Sequence, residues 1–575
     1  MNINKMIELD LTDLTIDELL KLESDVDDHA NVIAQQMGIN YNVKDVDLIV
    51  RFEQEMQLIA LSFSIAYKAG VNPSETLGTT NIWESIIYRF CQSRNIIVPP
   101  KKHKQKTPYP GGYVKEPIAG FWDWVVSFDL ASLYPKLIEQ YNMSPETLLE
   151  GVNHQVSVDS CINDMWPDIE EGVSTTPNGV RFSNEKLGMM PQIIDKLYTE
   201  RKIAKNVMIE ASKKLETKGL SASEKHRWTI EKVVNNNKQM AIKILMNSMY
   251  GAMGSQYFTY FNQDIAEAIT LSGQLSIKVA EKAINGYMNS VLQTNKKDYI
   301  IAIDTDSNYV NFAPLVNKVF KNRMDDKTKI VEFLDEICAS KFEPVIDAAY
   351  KNLAVKTNAY SQQMVMEREA IADVGIWAAK KRYILRVHNN EGIQYAKPKI
   401  KIMGLEAVKS STPEVCRDKF KEVFEIILDK DQDKLHQYVA AFKTHFFSLE
   451  PHQVAFPRSV SNLTKWVGID KGLPIHVRAS VNYNRALDRH QLSKQYQHIK
   501  NGSKIKFSYC KMPNPLRDNV IAFQNDELPK DIGMHKYIDY QKQFDKTFVD
   551  PLTIVLDCIK WSAEPVASFD ALFDF

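Results

Sequence analysis

Apolar and polar positions alternate most tellingly near the middle of the chain. Tyr299-Ile300-Ile301-Ala302-Ile303 and Asn308-Tyr309-Val310-Asn311-Phe312 are two short β-prone runs flanking the polar tetrapeptide Asp304-Thr305-Asp306-Ser307. This pattern predicts a hairpin with two carboxylates at its tip. A further apolar run, Trp124-Val125-Val126-Ser127-Phe128, ends in Asp129 and predicts a strand that delivers another carboxylate. Between these stretches the period lengthens. Residues 187–254 read as a helical hairpin: Pro191 opens the first helix, Gly219 follows its end, and Ser221-x-x-Glu224 offers a capping box for the second. Arg201 and Lys205 fall at i, i+4 on the first helix. Lys243, Asn247 and Tyr250 fall at i, i+4, i+7 on the second, again on one face. From Glu414 onward Val415, Phe420, Val423, Phe424, Ile427 and Leu428 predict an amphipathic helix.

A chain of 575 residues is long enough for several domains. Its 44% hydrophobic and 25% charged residues are the balance of a soluble globular protein. No apolar run approaches a membrane span and no signal-peptide pattern opens the chain, so no membrane partner is expected and a cytoplasmic location is (the host cytoplasm if the chain is viral). Six cysteines stand singly at 91, 161, 338, 416, 510 and 558, which predicts neither a structural zinc nor a disulfide framework. The net charge of −1 allows nucleic-acid binding only if basic side chains are concentrated where a phosphate backbone runs.

The chemistry lies in the carboxylates. Acids as close as Asp304 and Asp306 repel unless a cation sits beside them, and hard ions such as Mg²⁺ take carboxylate oxygens. Asp129 on a strand beside the hairpin tip would complete a two-metal site. Taken alone, the tetrapeptide reads as an Asp/Ser-rich surface turn and the helical stripes as solvated faces. The three blocks together carry more. "DLASLYPKLI" from Asp129, "KILMNSMYG" with Lys243, Asn247 and Tyr250, and "DTDS" from Asp304 occur in the order of motifs A, B and C of the family B (polymerase α-like) DNA polymerases, which the chain resembles. The resemblance runs from about residue 41 to 575 and is nearest to the polymerases of T-even-type phages.

That resemblance implies an α+β fold shaped as a right hand: an antiparallel-sheet palm, helical-hairpin fingers and a thumb, preceded by a remnant of an RNase H-like exonuclease domain. It implies template-directed nucleotidyl transfer in viral DNA replication on primer-template DNA and dNTPs. Two Mg²⁺ ions, with Mn²⁺ as a substitute, would be held by Asp129, Asp306 and the Leu130 carbonyl, with Asp304 tuning the site. Ser132, Leu133 and Tyr134 would face the triphosphate, with Tyr134 as the steric gate against a 2′-OH. Arg201, Lys205 and Lys243 would grip phosphates, and Asn247 and Tyr250 would line the nascent base pair. Tyr109-Pro110-Gly111-Gly112 resembles a Y-x-G-G element for the template strand; with it, Gly251 and Lys380-Lys381-Arg382-Tyr383 are expected at DNA. His476, Arg478 and Arg485 are expected near duplex phosphates. Lys136 stands where Ser is usual, Asn308 where an apolar residue is usual, and Asn389 where an acid is usual; all three are departures from the pattern.

Tyr41-Asn42-Val43-Lys44-Asp45, ahead of Val46, Leu48, Ile49 and Phe52, resembles the third exonuclease motif, with Asp45 as one metal carboxylate. The other two exonuclease motifs are not found in residues 1–40, so no 3′→5′ exonuclease activity is expected from this chain alone. The apolar content of residues 46–95 predicts exposed surface and hence a separate N-terminal, exonuclease-bearing polypeptide, a split polymerase; a naturally exonuclease-free enzyme that has lost those segments is the alternative. At the other end Phe569, Asp570, Leu572, Phe573 and Phe575 resemble a sliding-clamp anchor, the alternative being a tail that packs back on the thumb. The expected plan is 1–96 exonuclease remnant, 97–186 linker and first palm part, 187–254 fingers, 255–413 second palm part, 414–566 thumb and 567–575 clamp tail. Two rivals are a non-catalytic DNA-binding scaffold descended from a polymerase and a protein-primed polymerase; the second is disfavoured because no extra palm insertion separates motifs A and B.

Overall fold

The computed structural model describes residues 43–565 apart from 45, 102–104, 167, 216, 218, 322–325, 467–468, 470–471 and 525–526. Asp45 with Tyr41, part of the basic run at 101–106, and the predicted clamp tail at 567–575 therefore lie outside the described residues. The chain runs through α1 (Leu58–Ala69) and α2 (Thr79–Gln92), then β1 (Gly120–Leu130) and α3 (Leu133–Gln140). Next come α4 (Met189–Leu215), α5 (Ala222–Met253), α6 (Gln263–Leu292), β2 (Ile300–Asp304) and β3 (Ser307–Asn311). α7 (Lys327–Ile337), α8 (Glu343–Lys356), β4 (Met366–Ala379), β5 (Arg382–Asn390) and β6 (Ile393–Met403) follow. The last part holds α9 (Glu414–Leu428), α10 (Gln432–Phe446), β7 (Phe456–Ser459), α11 (Ile475–Arg489), β8 (Lys504–Tyr509), β9 (Val520–Phe523) and α12 (Asp550–Cys558).

Two compact units share these elements: one takes the chain up to Lys106 with Gln192–Gln263, the other takes Thr107–Pro191 with Asp264–Phe575. The grouping differs from the linear plan. The N-terminal helices fall into one unit with the long helical hairpin, and the predicted thumb falls into one unit with the sheet. Linear order cannot reveal this, because which apolar faces meet is decided by packing and not by sequence proximity.

The larger unit is built on a six-stranded antiparallel sheet in the order β2-β3-β1-β4-β5-β6. β1 is central, which explains its nearly unbroken apolar run: Val125, Val126 and Phe128 are all fully buried. β6 is an edge strand and reads accordingly, with exposed Lys397 and Lys399, charges that discourage edge-to-edge pairing. One face of the sheet, through Val374, Ile376 and Ile384, packs on Phe420 and Phe424 of α9, Phe442 of α10 and Leu552 of α12. The other carries Val125, Tyr309, Trp377, Tyr383 and Leu385. The predicted helix from Glu414 is present as α9 and buries Phe420, Val423, Phe424, Ile427 and Leu428. Beyond it, α11 packs on the three-stranded sheet β9-β8-β7.

In the smaller unit the predicted helical hairpin is α4 and α5. Pro191 sits in the first turn of α4, where a missing N–H costs nothing. Ser221 and Glu224 form the capping box that opens α5: Ser221 Oγ accepts the Glu224 amide at 3.2 Å and Glu224 accepts the Ser221 amide at 3.0 Å. α1 and α2 pack on α5 through Ile65, Ala69, Ile82, Ala241 and Leu245. Their far sides and the helix before them stay exposed: Ile49 is 63%, Phe52 56%, Ile59 55% and Phe63 60% accessible. Among the described residues no helix is long and apolar enough to cross a membrane, and the six cysteines are unpaired.

Candidate active site

β2 and β3 form the predicted hairpin, closed by the pair Asp304↔Ser307, with Thr305 and Asp306 at its tip. Thr305 adopts φ 59°, and the short Asp306 N–H to Asp304 C=O contact of 2.6 Å holds the turn. β1 pairs with β3 in the register Asp129↔Ser307, and the Leu130 amide donates to the Asp306 carbonyl at 2.9 Å. Residues 129 and 306 are thus brought to adjacent positions by backbone bonding alone.

Their electrostatics follow from that proximity. Burial pushes the Asp129 carboxyl up to about 7, and the charges of Asp306 and Glu369 push the same way, against Lys401. Burial also raises Asp306; Asp304 and Glu369 add to this and Lys381 opposes it. Two half-buried carboxylates, each raised by burial and by neighbouring acids, form a donor set that a divalent cation would relieve. Among the described residues no group of three or more acid, His or Cys side chains is arranged as a complete metal cage. Two carboxylates and a backbone carbonyl suit Mg²⁺, which retains waters and substrate oxygens.

The surroundings of this pair were not legible in the sequence. Glu369 on β4 accepts from Ser127 Oγ at 3.0 Å and from Lys401 Nζ of β6 at 3.0 Å. Lys381 Nζ meets Asp304 Oδ1 at 3.0 Å. The apolar pattern of β4 flags Glu369 only as a charge within a strand, with no partner named. Lys136, at a position where Ser is usual, is buried and pairs with buried Glu139 at 2.7 Å and with Gln363 at 3.2 Å. Asn308 is fully buried on β3 and Asn389 is buried on β5, where it accepts from Arg368 at 2.9 Å.

Tyr134, on the first turn of α3, is half-buried; burial and the neighbouring Asp306 and Tyr109 raise its hydroxyl. Ser132 holds the left-handed conformation at the start of that helix, and Leu133 is buried. Gly112 abuts both the tip and the gate candidate: a Cβ there would lie 2.8 Å from Thr305 Cγ2 and 3.2 Å from the Tyr134 hydroxyl. Tyr113 accepts the Thr305 amide through its carbonyl at 2.9 Å, so the Tyr109–Tyr113 stretch lies along the hairpin tip. Gly111 has open space where a Cβ would stand.

The remaining sequence-predicted residues divide by exposure. Lys380 meets Glu116 at 3.2 Å at the surface. Arg382 Nη2 donates to both carboxylate oxygens of Glu406, at 2.8 and 3.1 Å. Tyr383 is buried, stacks on Trp377 at 5.4 Å and shares a hydroxyl bond with Tyr309 at 2.7 Å. On α11, Arg478 is engaged by Asp518 at 2.9 Å and Asn519 at 3.0 Å, and burial lowers His476. In the smaller unit Lys205, Lys243, Asn247 and Gly251 are exposed on their helices, and Arg201 and Tyr250 are half-buried.

A model of DNA polymerase family B matches residues 76–461, a span that contains Asp129, α4, α5 and the β2–β3 hairpin. The chain belongs to DNA polymerase family B. It is 31% identical over 591 aligned residues to the DNA-directed DNA polymerase of Escherichia phage RB69, covering 94% of this chain and 65% of that protein. The same figures hold for the DNA-directed DNA polymerase of Enterobacteria phage T4. DNA polymerase 1 of Pyrococcus abyssi is 26% identical over 397 residues, 68% of this chain and 42% of that protein. This family B chain therefore spans about two thirds of the length of the phage relatives it matches.

Proposed function

We propose that this family B chain is a template-directed DNA polymerase. The observation that carries the reading is the β1–β3 register, which sets Asp129 beside the tip residue Asp306 across 177 residues of sequence (306 − 129). Acids raised by burial and by neighbouring charges cost stability, and cation binding is the use that offsets the cost. In this reading the six-stranded sheet is the palm, α4 and α5 are the fingers, and residues 414–565 are the thumb.

Asp129, Asp306 and the Leu130 carbonyl would hold two divalent ions, Mg²⁺ or Mn²⁺ in its place, which when bound activate the primer 3′-OH and neutralise charge on the triphosphate. Asp304 and its partner Lys381 orient the hairpin tip. Ser132, Leu133 and Tyr134 receive the incoming nucleotide, and the Tyr134 ring occupies the space a ribose 2′-OH would need. Arg201, Lys205 and Lys243 present cations to the β- and γ-phosphates; Asn247 and Tyr250 line the base pair. Tyr109, Gly111, Gly112 and Gly251 meet the template strand, and Lys380 to Tyr383 support the primer end, with Lys380 and Lys381 the exposed members of the four.

Two protein partners complete the proposal. The exposed apolar side chains at 49–63 offer a docking face for an exonuclease-bearing polypeptide, and the Phe-rich segment 569–575 offers an anchor for a sliding clamp. Primer extension with dNTPs and Mg²⁺ tests the core claim. Template-dependent extension that disappears in Asp306→Ala, with DNA binding kept, is the expected result. A wild-type chain that binds DNA but never extends it, with or without co-purified partners, would return the scaffold reading.

A further inference from the structure

The α1–α2 hairpin holds the helix that carries Lys243, Asn247 and Tyr250 by two adjacent side chains. Trp83 of α2 is fully buried, and its indole N–H reaches Ser248 Oγ at 3.0 Å and the Leu245 carbonyl at 3.2 Å. Ser248 Oγ in turn donates to the same Leu245 carbonyl at 2.8 Å. That carbonyl belongs to the helix ladder, so two additional donors converge on one acceptor inside α5. Serine back-bonding of this kind weakens a helix locally, and the rigid indole donor ties the same turn to α2.

The next residue grips the chain beyond the helix. Glu84 Oε1 accepts the Thr259 amide at 3.0 Å and the Thr259 hydroxyl at 2.8 Å. Lys101 reaches the same carboxylate at 3.3 Å, and Lys106 Nζ donates to the Gly254 carbonyl at 2.8 Å, just past the end of α5. Lys68 of α1 pairs with Glu200, one residue before Arg201 on α4. Thus the stretch from Leu245 to Thr259 is pinned at both ends by residues 83 and 84.

The geometry of α5 gives this a purpose. At 3.6 residues per turn, Leu245 lies roughly half a turn around the helix from Lys243 and Asn247, and Ser248 roughly a quarter to a third of a turn from them; Lys243 and Asn247 are exposed. A displacement of the anchored side rotates the exposed stripe by the same angle. We infer that Trp83 and Glu84 are positioning residues for the nucleotide-binding stripe of α5, so that the α1–α2 hairpin works as part of the nucleotide-selecting element. The inference rests on the polymerase reading for its ligand and on the hydrogen bonds above for its geometry.

The test uses the full chain. Trp83→Phe keeps an aromatic side chain, smaller than the indole, and removes the donor; Glu84→Ala removes the acceptor and Glu84→Gln retains it. Steady-state single-nucleotide extension should show the KM for the correct dNTP rising about five- to tenfold in Trp83→Phe and Glu84→Ala, the size expected when one side chain's pair of hydrogen bonds is lost. The KM for primer-template should stay unchanged, and Glu84→Gln should stay near wild type. Hydrogen exchange of the amides in 245–259 should speed up in Trp83→Phe and Glu84→Ala, a readout independent of turnover. Unchanged dNTP KM in both, with only melting temperature or active fraction lowered, overturns the inference while leaving the polymerase reading intact. A wild-type chain that extends no primer overturns both.

Discussion

Asp129 is the residue on which burial, charge and geometry converge. With its folded carboxyl raised to about 7 and the unfolded one near 3.9, the native state binds the proton more tightly between those values. Stability from this group is therefore fully present at low pH and is lost as pH rises from about 4 to 7. Asp129→Asn should then stabilise the chelator-treated protein at pH 8 by on the order of 2 kcal/mol, with the gain vanishing below about pH 4. The same variant should lose at least about a thousandfold in extension rate; urea melts across pH and primer extension check the two halves. Tyr134→Ala should leave dNTP turnover within about tenfold and raise ribonucleotide incorporation by on the order of a hundredfold. Unchanged sugar discrimination in paired dNTP and rNTP assays would remove Tyr134 as the gate. The carboxylates were legible because acidic residues at the ends of apolar runs break a strong pattern. Glu369 and Lys401 were not, because a charge within a strand says nothing about which neighbour meets it.

At the scale of elements, backbone contacts decide what side chains can do. Gly112 fits against the hairpin tip only without a side chain, so Gly112→Ala should displace Thr305 or Tyr134. We expect a fall of about tenfold or more in kcat with little change in melting temperature, since misplacement near a reacting centre is costly. β4, β5, the start of α7 and the residue after α9 are joined by a charge network centred on one buried carboxylate. Asp373, 5% exposed, accepts from Arg386 Nε and Nη2 at 2.9 Å each and from Lys327 at 2.7 Å, and Arg386 continues to Asp429 at 2.5 Å. Burial alone would raise this carboxyl, but bonds from His388, Arg386 and Lys327 hold it well below the usual range. Its contribution is present above the unfolded carboxylate range near pH 4 and is lost as pH falls through the lower folded value. Asp373→Ala should cost about 1–3 kcal/mol at pH 7, because Arg386 keeps Asp429 but its Nε and Nη2 lose their buried acceptor. The deficit relative to wild type should shrink in strong acid, as followed by denaturant melts. Element type and extent were readable at this scale. The capping box at Ser221, the hairpin around Thr305 and the amphipathic face of α9 each have a local physical cause, and each stands where predicted.

For the whole molecule, the division into units carries the lesson. A plan drawn along the chain separates residues 1–96 from 187–254, whereas apolar contacts gather the helices α1 and α2 with α5 into one unit. If the segment 569–575 is a clamp anchor, deleting it should leave distributive synthesis intact and abolish clamp-dependent processivity; product-length distributions with and without a clamp check this. From sequence alone came whatever depends on neighbours in the chain: strand and helix periods, caps, the hairpin tip, and motifs whose spacing carries the chemistry. Tertiary structure decided whatever depends on residues far apart. It set the register that lays Asp129 against Ser307, gave Glu369 and Lys401 their places beside the acids, and buried Tyr383 and Lys136. It also turned Trp83 toward the back of α5. The physical reason is that backbone conformation is fixed by local sterics and hydrogen bonding, whereas burial and pairing depend on which distant surface a side chain meets.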